Sequence, residues 1–359
     1  MRLACFITPH GFGHAARSCA VLAEFKALLP ELAIDLYTTV PEWFFADSLP
    51  GVKFDYFPVA CDIGLVQRGP LEEDIPASVA ALDRFWLAAP IAGLAEQLRA
   101  RQTTLVLCDI APLGLAAAAQ AGIPSVLLEN FTWEWIYRGY DNAALHRHAD
   151  RLAALFELAD LRIQCTPCCQ PLAGAVSVPP ISRRGRLGRE ATRRRLQLAS
   201  EEKLVLVSLG GVDGGLDFLP ALASRTPATF LLLGQEELGR LPANVRRLPK
   251  HSPFFHPDPI AAADLVLGKT GYSTVAEVYA AGTPFLCLSR AAFRESAVLE
   301  RFVESNPPSR VVDGTMLSGP EAPDVVQQLL AAPAGASMRP NGATEAARWI
   351  GRLHSRYKH

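Results

Sequence analysis

Almost from end to end the chain repeats one local pattern: a short apolar run, a turn, then an amphipathic segment. In the first half the runs are LACFI (Leu3 to Ile7), AIDLYTT (Ala33 to Thr39), KFDYF (Lys53 to Phe57), TLVLCD (Thr104 to Asp109), PSVLLE (Pro124 to Glu129) and LRIQC (Leu161 to Cys165). Runs such as TLVLCD and PSVLLE carry no polar alternation, so they are to be buried on both faces, as in a parallel sheet covered by helices. Between the runs, Val21, Leu22, Phe25, Leu28 and Leu29 fall on one helical stripe, and a long helical stretch runs from Ser78 to Arg101. The class is α/β.

After the Pro- and Arg-rich passage SVPPISRRGRLGR the pattern restarts, with KLVLVSLGG, ATFLLLG, ADLVLGK and TPFLCLS as new strands. This predicts two doubly wound, Rossmann-like domains, 1–182 and 183–335. The remainder, 336–359, reads as a helix packing back across the domains. In such sheets ligands sit beyond the carboxyl ends of the strands, so two facing domains would enclose a central cleft lined by the residues just after strands.

The charge balance removes several classes of function. Among 359 residues, 35 are basic and 36 acidic, which leaves no electrostatic footprint for nucleic acid. The one basic cluster, Arg183 to Leu196, reads as a solvated linker and helix face. No run reaches the ~18 uncharged apolar residues of a spanning helix, and MRLACFITPH reads as a core strand, not a signal peptide. The eight cysteines lack regular spacing, as expected of reduced core thiols in a cytoplasmic protein. Cys165, Cys168 and Cys169 have no second ligand pair, so no metal site is expected.

Two turns carry chemistry. In GKTGYSTVAEVYAAG, Gly271 permits a tight turn before a helix opened by Tyr272, Ser273 and Thr274. Its first N–H groups and hydroxyls suit a diphosphate, and Glu277 could accept from ribose hydroxyls. The alternative is a capped helix with a solvated first-turn carboxylate. The other turn, TPHGFGHAARS, follows the first strand. It lacks the third glycine of a dinucleotide loop, having Ala16 there, and the acidic residue about 20 positions on, Asp35, lies inside a strand, so a nicotinamide cofactor is not expected.

The Gly-x-x-Ser/Thr-x-x-Glu turn followed by Ala-x-Gly-x-Pro resembles the donor-binding segment of GT-B glycosyltransferases that use UDP-sugars. The resemblance implies the GT-B fold, with Gly271, Tyr272, Ser273 and Thr274 on the diphosphate, Lys269 beside it and Glu277 on the ribose. It places the base over a loop containing Arg247, Lys250 and His251, and makes Ser208, Gly210 and Gly211 the small-residue turn after the domain's first strand. CDIGLVQ, VLCDIAPLGLAAAAQAGIPSVLLENFTWEWIY and LGKTGYSTVAEVYAAGTPFLCLSRAAFRE also resemble the glycosyltransferase-like part of plant L-arabinokinases and their stand-alone bacterial relatives. No glycine-rich kinase loop is present, so the kinase activity is not expected to carry over.

In many inverting members of the fold, a histidine after the first strand is general base for the acceptor, which implies that role for His14. A carboxylate ending a later strand orients it, for which Asp109 is the candidate, although it could instead cap the helix after Pro112. Gly13, Arg17, Asp62, Gln67, Asn130 and Trp133 are expected to face the acceptor or sugar, with ring stacking or plain helix packing open for the tryptophan. Arg294 and Glu295 stand where the family contacts the donor sugar, in place of the commoner Asp-Gln or Glu-Gln. The expectation is an inverting glycosyltransferase needing neither metal nor cofactor, with a nucleotide sugar, UDP-linked, and an acceptor as its partners. An epimerase or hydrolase of UDP-sugars, or a non-catalytic nucleotide-sugar binder, are the alternatives.

Overall fold

The computed structural model describes residues 1–69, 72–209, 215–234, 241–249, 251–290, 292–333 and 339–357. The chain divides into two compact units: Met1–Val66 with Glu73–Ser182 and Asn341–His359, and Gln67–Glu72 with Arg183–Pro340.

The first unit is built on β1 (Arg2–Ile7), β2 (Ala33–Tyr37) and β3 (Asp55–Phe57). A two-stranded ribbon follows in the chain, β4 (Gln67–Gly69) with β5 (Glu72–Glu73), and then β6 (Leu105–Asp109), β7 (Ser125–Glu129), β8 (Leu161–Cys165) and β9 (Val176–Val178). The seven-stranded sheet has the order β3-β2-β1-β6-β7-β8-β9, every pair parallel. All five residues of β6 and of β7 are buried, as their unbroken apolar character demands. The chain steps one way from β1 to β3 and the other way from β6 onward, so the direction reverses between β1 and β6. Ile7 pairs there with Asp109, which brings the two strand ends side by side. Helix Ala343–Arg356 packs on helix Gly13–Leu28, with Thr344 Oγ1 donating to Glu24 at 2.7 Å.

The second unit has β10 (Leu204–Ser208), β11 (Thr229–Leu233), β12 (Val245–Leu248), β13 (Leu265–Lys269), β14 (Phe285–Leu288) and β15 (Ser309–Val312). The order is β12-β11-β10-β13-β14-β15, again wholly parallel. The reversal falls between β10 and β13, where Ser208 pairs with Gly268. In each unit the strand junction that creates a ligand crevice in doubly wound sheets therefore carries one of the two turns singled out in the sequence.

The helical stretch from Ser78 to Arg101 is two helices, Ile75–Ala88 and Ile91–Ala100. Pro90 pushes the residue before it out of helical geometry, and Ala89 adopts φ −59°, ψ 120°. Among the described residues no single helix is long and apolar enough to cross a membrane, although this pair, bent by 54°, passes on length and composition when taken together.

Candidate active site

Thr8 to Phe12 leave β1 through a turn in which Gly11 takes φ +77°, a left-handed value that favours glycine. Gly13 then starts a helix on which His14, Arg17 and Ser18 share one face, three and four residues apart. That face meets Asp109, the last residue of β6, which is fully buried. Asp109 is not a helix cap: the helix Pro112–Ala121 has Ala111 at its N-cap and no side chain there. Its carboxylate instead accepts four hydrogen bonds. Oδ1 takes His14 Nδ1 at 2.9 Å and Arg17 Nη2 at 2.6 Å. Oδ2 takes Arg17 Nε at 3.0 Å and Ser18 Oγ at 3.0 Å.

Because a carboxylate held by a guanidinium only accepts, Nδ1 of His14 must carry the proton. The 3.2 Å approach of Arg17 Nη2 to that nitrogen follows from two donors converging on one oxygen. Nε2 is thereby left with its lone pair, and His14 keeps 11% of its side chain exposed while Asp109 has none. Burial pulls the His14 imidazole below its ordinary pKa, the Asp109 carboxylate opposes that, and the Arg17 cation adds to it. Burial pushes Asp109 up, but Arg17 and His14 outweigh it and hold the carboxyl below the usual range. The pair is thus a neutral imidazole on an ionised carboxylate, the protonation states of a general base and its orienting anion.

Arg17 does not reach outward as an acceptor contact. It is 1% exposed and bonded to Asp109, and its Nη1 donates to Asn130 Oδ1 at 2.6 Å and lies 3.4 Å from Cys165 Sγ. Asn130, beyond the end of β7, is likewise buried within this network. Trp133 also departs from expectation: it is fully buried against His10, Phe131 and Tyr137, so the packing reading holds and ring stacking on a sugar is excluded for it. Asp62 is buried as well, accepting from Thr8 Oγ1 at 2.7 Å. Its Oδ2 and the Trp133 indole nitrogen lack hydrogen bonds of regular geometry, though the indole lies close enough to act on the carboxyl. Burial pushes the Asp62 carboxyl up to about 7, against the Thr8 hydroxyl and that indole. Gln67 begins β4 and belongs to the second unit.

In the second unit, Ser208 ends β10 and Lys269 ends β13, beside the helix Tyr272–Ala281. That helix has Gly271 at its N-cap and no side-chain cap, and the first N–H groups of any helix have no intrahelical acceptor. Ser273 and Thr274 are half-buried at this end and Tyr272 is buried. Arg247 lies within the edge strand β12 and not in a loop, since its residue pairs with Leu232 of β11; His251 follows, exposed. Arg294 is exposed and Glu295 buried before helix Ser296–Glu304. Gly210, Gly211 and Lys250 lie outside the described residues.

Glu277 is not solvated. It is buried one turn into its helix, with Oε1 accepting from Arg183 Nε and Oε2 from His256 Nδ1, each at 2.9 Å. Burial pushes its carboxyl up, but Arg183 and His256 prevail and hold it below the usual range. The basic cluster is correspondingly no plain solvated linker. Arg183 binds Glu277, Arg186 stacks over Phe255 at 3.6 Å, and Arg189 and Arg193 both pair with Asp264. Single charges in an arginine-rich run carry no sign of their distant partners, and the sequence reading linked none of them to Glu277.

Asp35 is fully buried between Arg2 and Arg101, which explains an acidic residue inside a strand without any ribose. All eight cysteines are free thiols, six of them buried. Among the described residues no group of three or more His, Cys, Asp or Glu side chains is placed to hold a metal ion.

No protein-family model matches the chain. It is 30% identical over 312 residues, 84% of its length, to L-arabinokinase of Arabidopsis thaliana, of which it spans only 29%. Among solved structures it is similar to a spinosyn forosaminyltransferase (14% identity, 99% of this chain and 95% of that one, TM-score 0.64). A Phytolacca americana protein complexed with UDP-2fluoro-glucose and pterostilbene matches at 13% identity over 99% of both chains, TM-score 0.62. MurG of Acinetobacter baumannii matches at 16% identity over 98% of this chain and 99% of its own, TM-score 0.58. Two parallel doubly wound units, matched along nearly their whole length by such structures, give this chain the GT-B fold.

Proposed function

We propose that the chain is an inverting glycosyltransferase that moves a sugar from a nucleotide sugar, UDP-linked, to an acceptor hydroxyl. The observation that carries this reading is the hydrogen-bonded pair of His14 and Asp109, at the strand reversal of the first unit, with Nε2 of the neutral imidazole left as a base. In the reaction Nε2 takes the acceptor's proton. The acceptor oxygen forms its bond to C1 from the face opposite the diphosphate, and the C1–O bond breaks with its electron pair going to the leaving diphosphate. Asp109 stabilises the imidazolium as it forms, and stays ionised because Arg17 is bonded to both of its oxygens. The charge on the leaving group is met by the first N–H groups of helix Tyr272–Ala281 and by Lys269, so the step needs no metal. The solved neighbour complexed with UDP-2fluoro-glucose is consistent with a UDP-linked donor here.

The test has two arms. Thermal-shift titration with UDP, ADP, GDP and NAD is expected to show stabilisation by UDP above the others, and indifference to all four would sink the donor assignment. His14→Ala is expected to lower kcat/KM about 100- to 10,000-fold with donor affinity unchanged. A binder without catalysis predicts no functional change on that substitution. An epimerase or hydrolase predicts full turnover of the UDP-sugar without an acceptor.

A further inference from the structure

Two observations about Glu277 remain unused by the reaction just described. First, the carboxylate is held from two sides, by Arg183 Nε on one oxygen and His256 Nδ1 on the other. Second, the groups that hold it come from well-separated parts of the sequence and are themselves pinned. Arg183 is the first residue of the second unit's main segment, and its side chain is only 8% exposed. The Phe255 ring carries the Arg183 guanidinium at 5.1 Å and that of Arg186 at 3.6 Å. Asp258 Oδ1 accepts the backbone N–H of Arg186 at 2.5 Å and of Leu187 at 3.0 Å. The segment 183–187 is thus laid along 255–258, and both converge on one buried carboxylate.

A carboxylate offers about four lone-pair positions, and this clamp uses one on each oxygen. Two positions remain, one per oxygen, and the clamp fixes the plane in which they point. Vicinal hydroxyls of a ribose present two donors at matching spacing. A carboxylate this deeply buried without fixed donors would either take up a proton or swing toward solvent, and in both cases would lose its preference for a pair of hydroxyls.

We propose that Arg183 and His256 are positioning residues for ribose recognition: they hold Glu277 so that its two remaining lone-pair positions accept the 2′- and 3′-hydroxyls of a nucleoside diphosphate. This rests on the reading of Glu277 as the ribose ligand of the donor. It adds that the first residues after the unit boundary are part of the donor site. It also accounts for a buried arginine–glutamate–histidine group that contributes little to a fold it costs desolvation to bury.

The probe is a pair of nucleotides differing in one hydroxyl: whichever of UDP, ADP and GDP binds best, and its 2′-deoxy form, titrated against the full chain by calorimetry. The wild-type protein is expected to prefer the ribonucleotide by about tenfold or more, the range for one hydrogen bond to a charged group. Glu277→Ala is expected to bring that ratio close to one. Arg183→Met and His256→Leu are expected to do the same while raising donor KM and sparing kcat. His256→Asn, whose amide N–H can stand where Nδ1–H stood, is expected to restore the preference. That rescue is not a property of a merely structural histidine, and it keeps the test decisive if the harsher variants fail to fold. If Glu277→Ala abolishes the preference but Arg183→Met, His256→Leu and His256→Asn all keep it, the positioning proposal is overturned and the ribose reading survives. If the wild-type protein shows no preference, or Glu277→Ala retains it, the ribose reading itself falls.

Discussion

Burial is the main cause that lowers the pH at which His14 can work as a base, and Arg17 adds to it. Its guanidinium is bonded to both oxygens of Asp109 and lies 3.2 Å from the imidazole, so it lowers the imidazole's pKa directly and also occupies the anion that would raise it. A general base must be unprotonated, so the rate falls as pH drops through the imidazole pKa. With that pKa held below the ordinary value of about 6.5, the acid limb of kcat/KM is expected below it. Arg17→Met removes the cation and leaves His14 as the main partner of a buried carboxylate, so the imidazole pKa rises and the acid limb moves to higher pH. The pH profile of kcat/KM for the two proteins measures this, and an unmoved or lowered limb refutes it. The same change is expected to cost about 3–5 kcal/mol of stability by uncovering a buried charge, so Arg17→Lys is the milder companion. At this scale the pairing of His14 with Asp109 was legible through the family resemblance, His14 by its turn after the first strand and Asp109 by ending a later one, with helix capping left open for Asp109. The role of Arg17 was not: an arginine early in a helix looks the same in sequence whether it faces solvent or a carboxylate 92 residues away.

The central strands could be read because they are buried on both faces, and a residue sequence such as LVLCD or LVLVS admits little else. Besides the ribbon strands β4 and β5, the strands that escaped reading, β9, β12 and β15, all lie at the edges of their sheets. They are short and carry exposed polar residues, VSV, VRRL and SRVV, because an edge strand is covered on fewer sides. The placement of Arg247 in a loop failed for that reason. Close contact between elements is also invisible in a composition. Helix Pro112–Ala121 crosses β1 and β6 at Gly114, where an added Cβ would lie 2.5 Å from Phe6 Cγ and 2.7 Å from Cys108 Sγ. Phe6 and Cys108 are fully buried, and Phe6 is stacked on Tyr37 with centroids 4.4 Å apart, so neither can give way cheaply. Gly114→Ala is therefore expected to destabilise the protein by about 1–3 kcal/mol despite the better helix propensity of alanine. Urea unfolding would show it as a lowered midpoint, and a midpoint unchanged or raised would mean that the helix lifts off the strands freely.

For the whole chain, the division into two units was legible from the restart of the strand pattern after a Pro- and Arg-rich passage, but the part played by the last helix was only an expectation. Residues 341–359 belong to the unit that carries His14, although 158 residues of the other unit separate them from Ser182 in the chain. The return is fixed by Asn341, whose Nδ2 donates to the Ser182 carbonyl at 2.8 Å, and by the Gly342 N–H, which donates to the Pro180 carbonyl at 2.9 Å. From there Ala343, Ala346, Ala347, Ile350 and Leu353 are buried, and helix Ala343–Arg356 lies on the helix that begins at Gly13. Burying Ile350 and Leu353 alone is worth roughly 3–6 kcal/mol. Deleting 341–359 should then loosen the helix Gly13–Leu28, and with it the face that holds His14 against Asp109, while the second unit keeps its own core. Hydrogen exchange would resolve this, with protection lost over Val21 to Phe25 and retained over β10 and β13. Nucleotide binding should persist in the truncated chain while turnover falls, because the proposed donor residues and the proposed base belong to different units. Equal loss of protection in both units, or turnover that survives the deletion, would contradict that division.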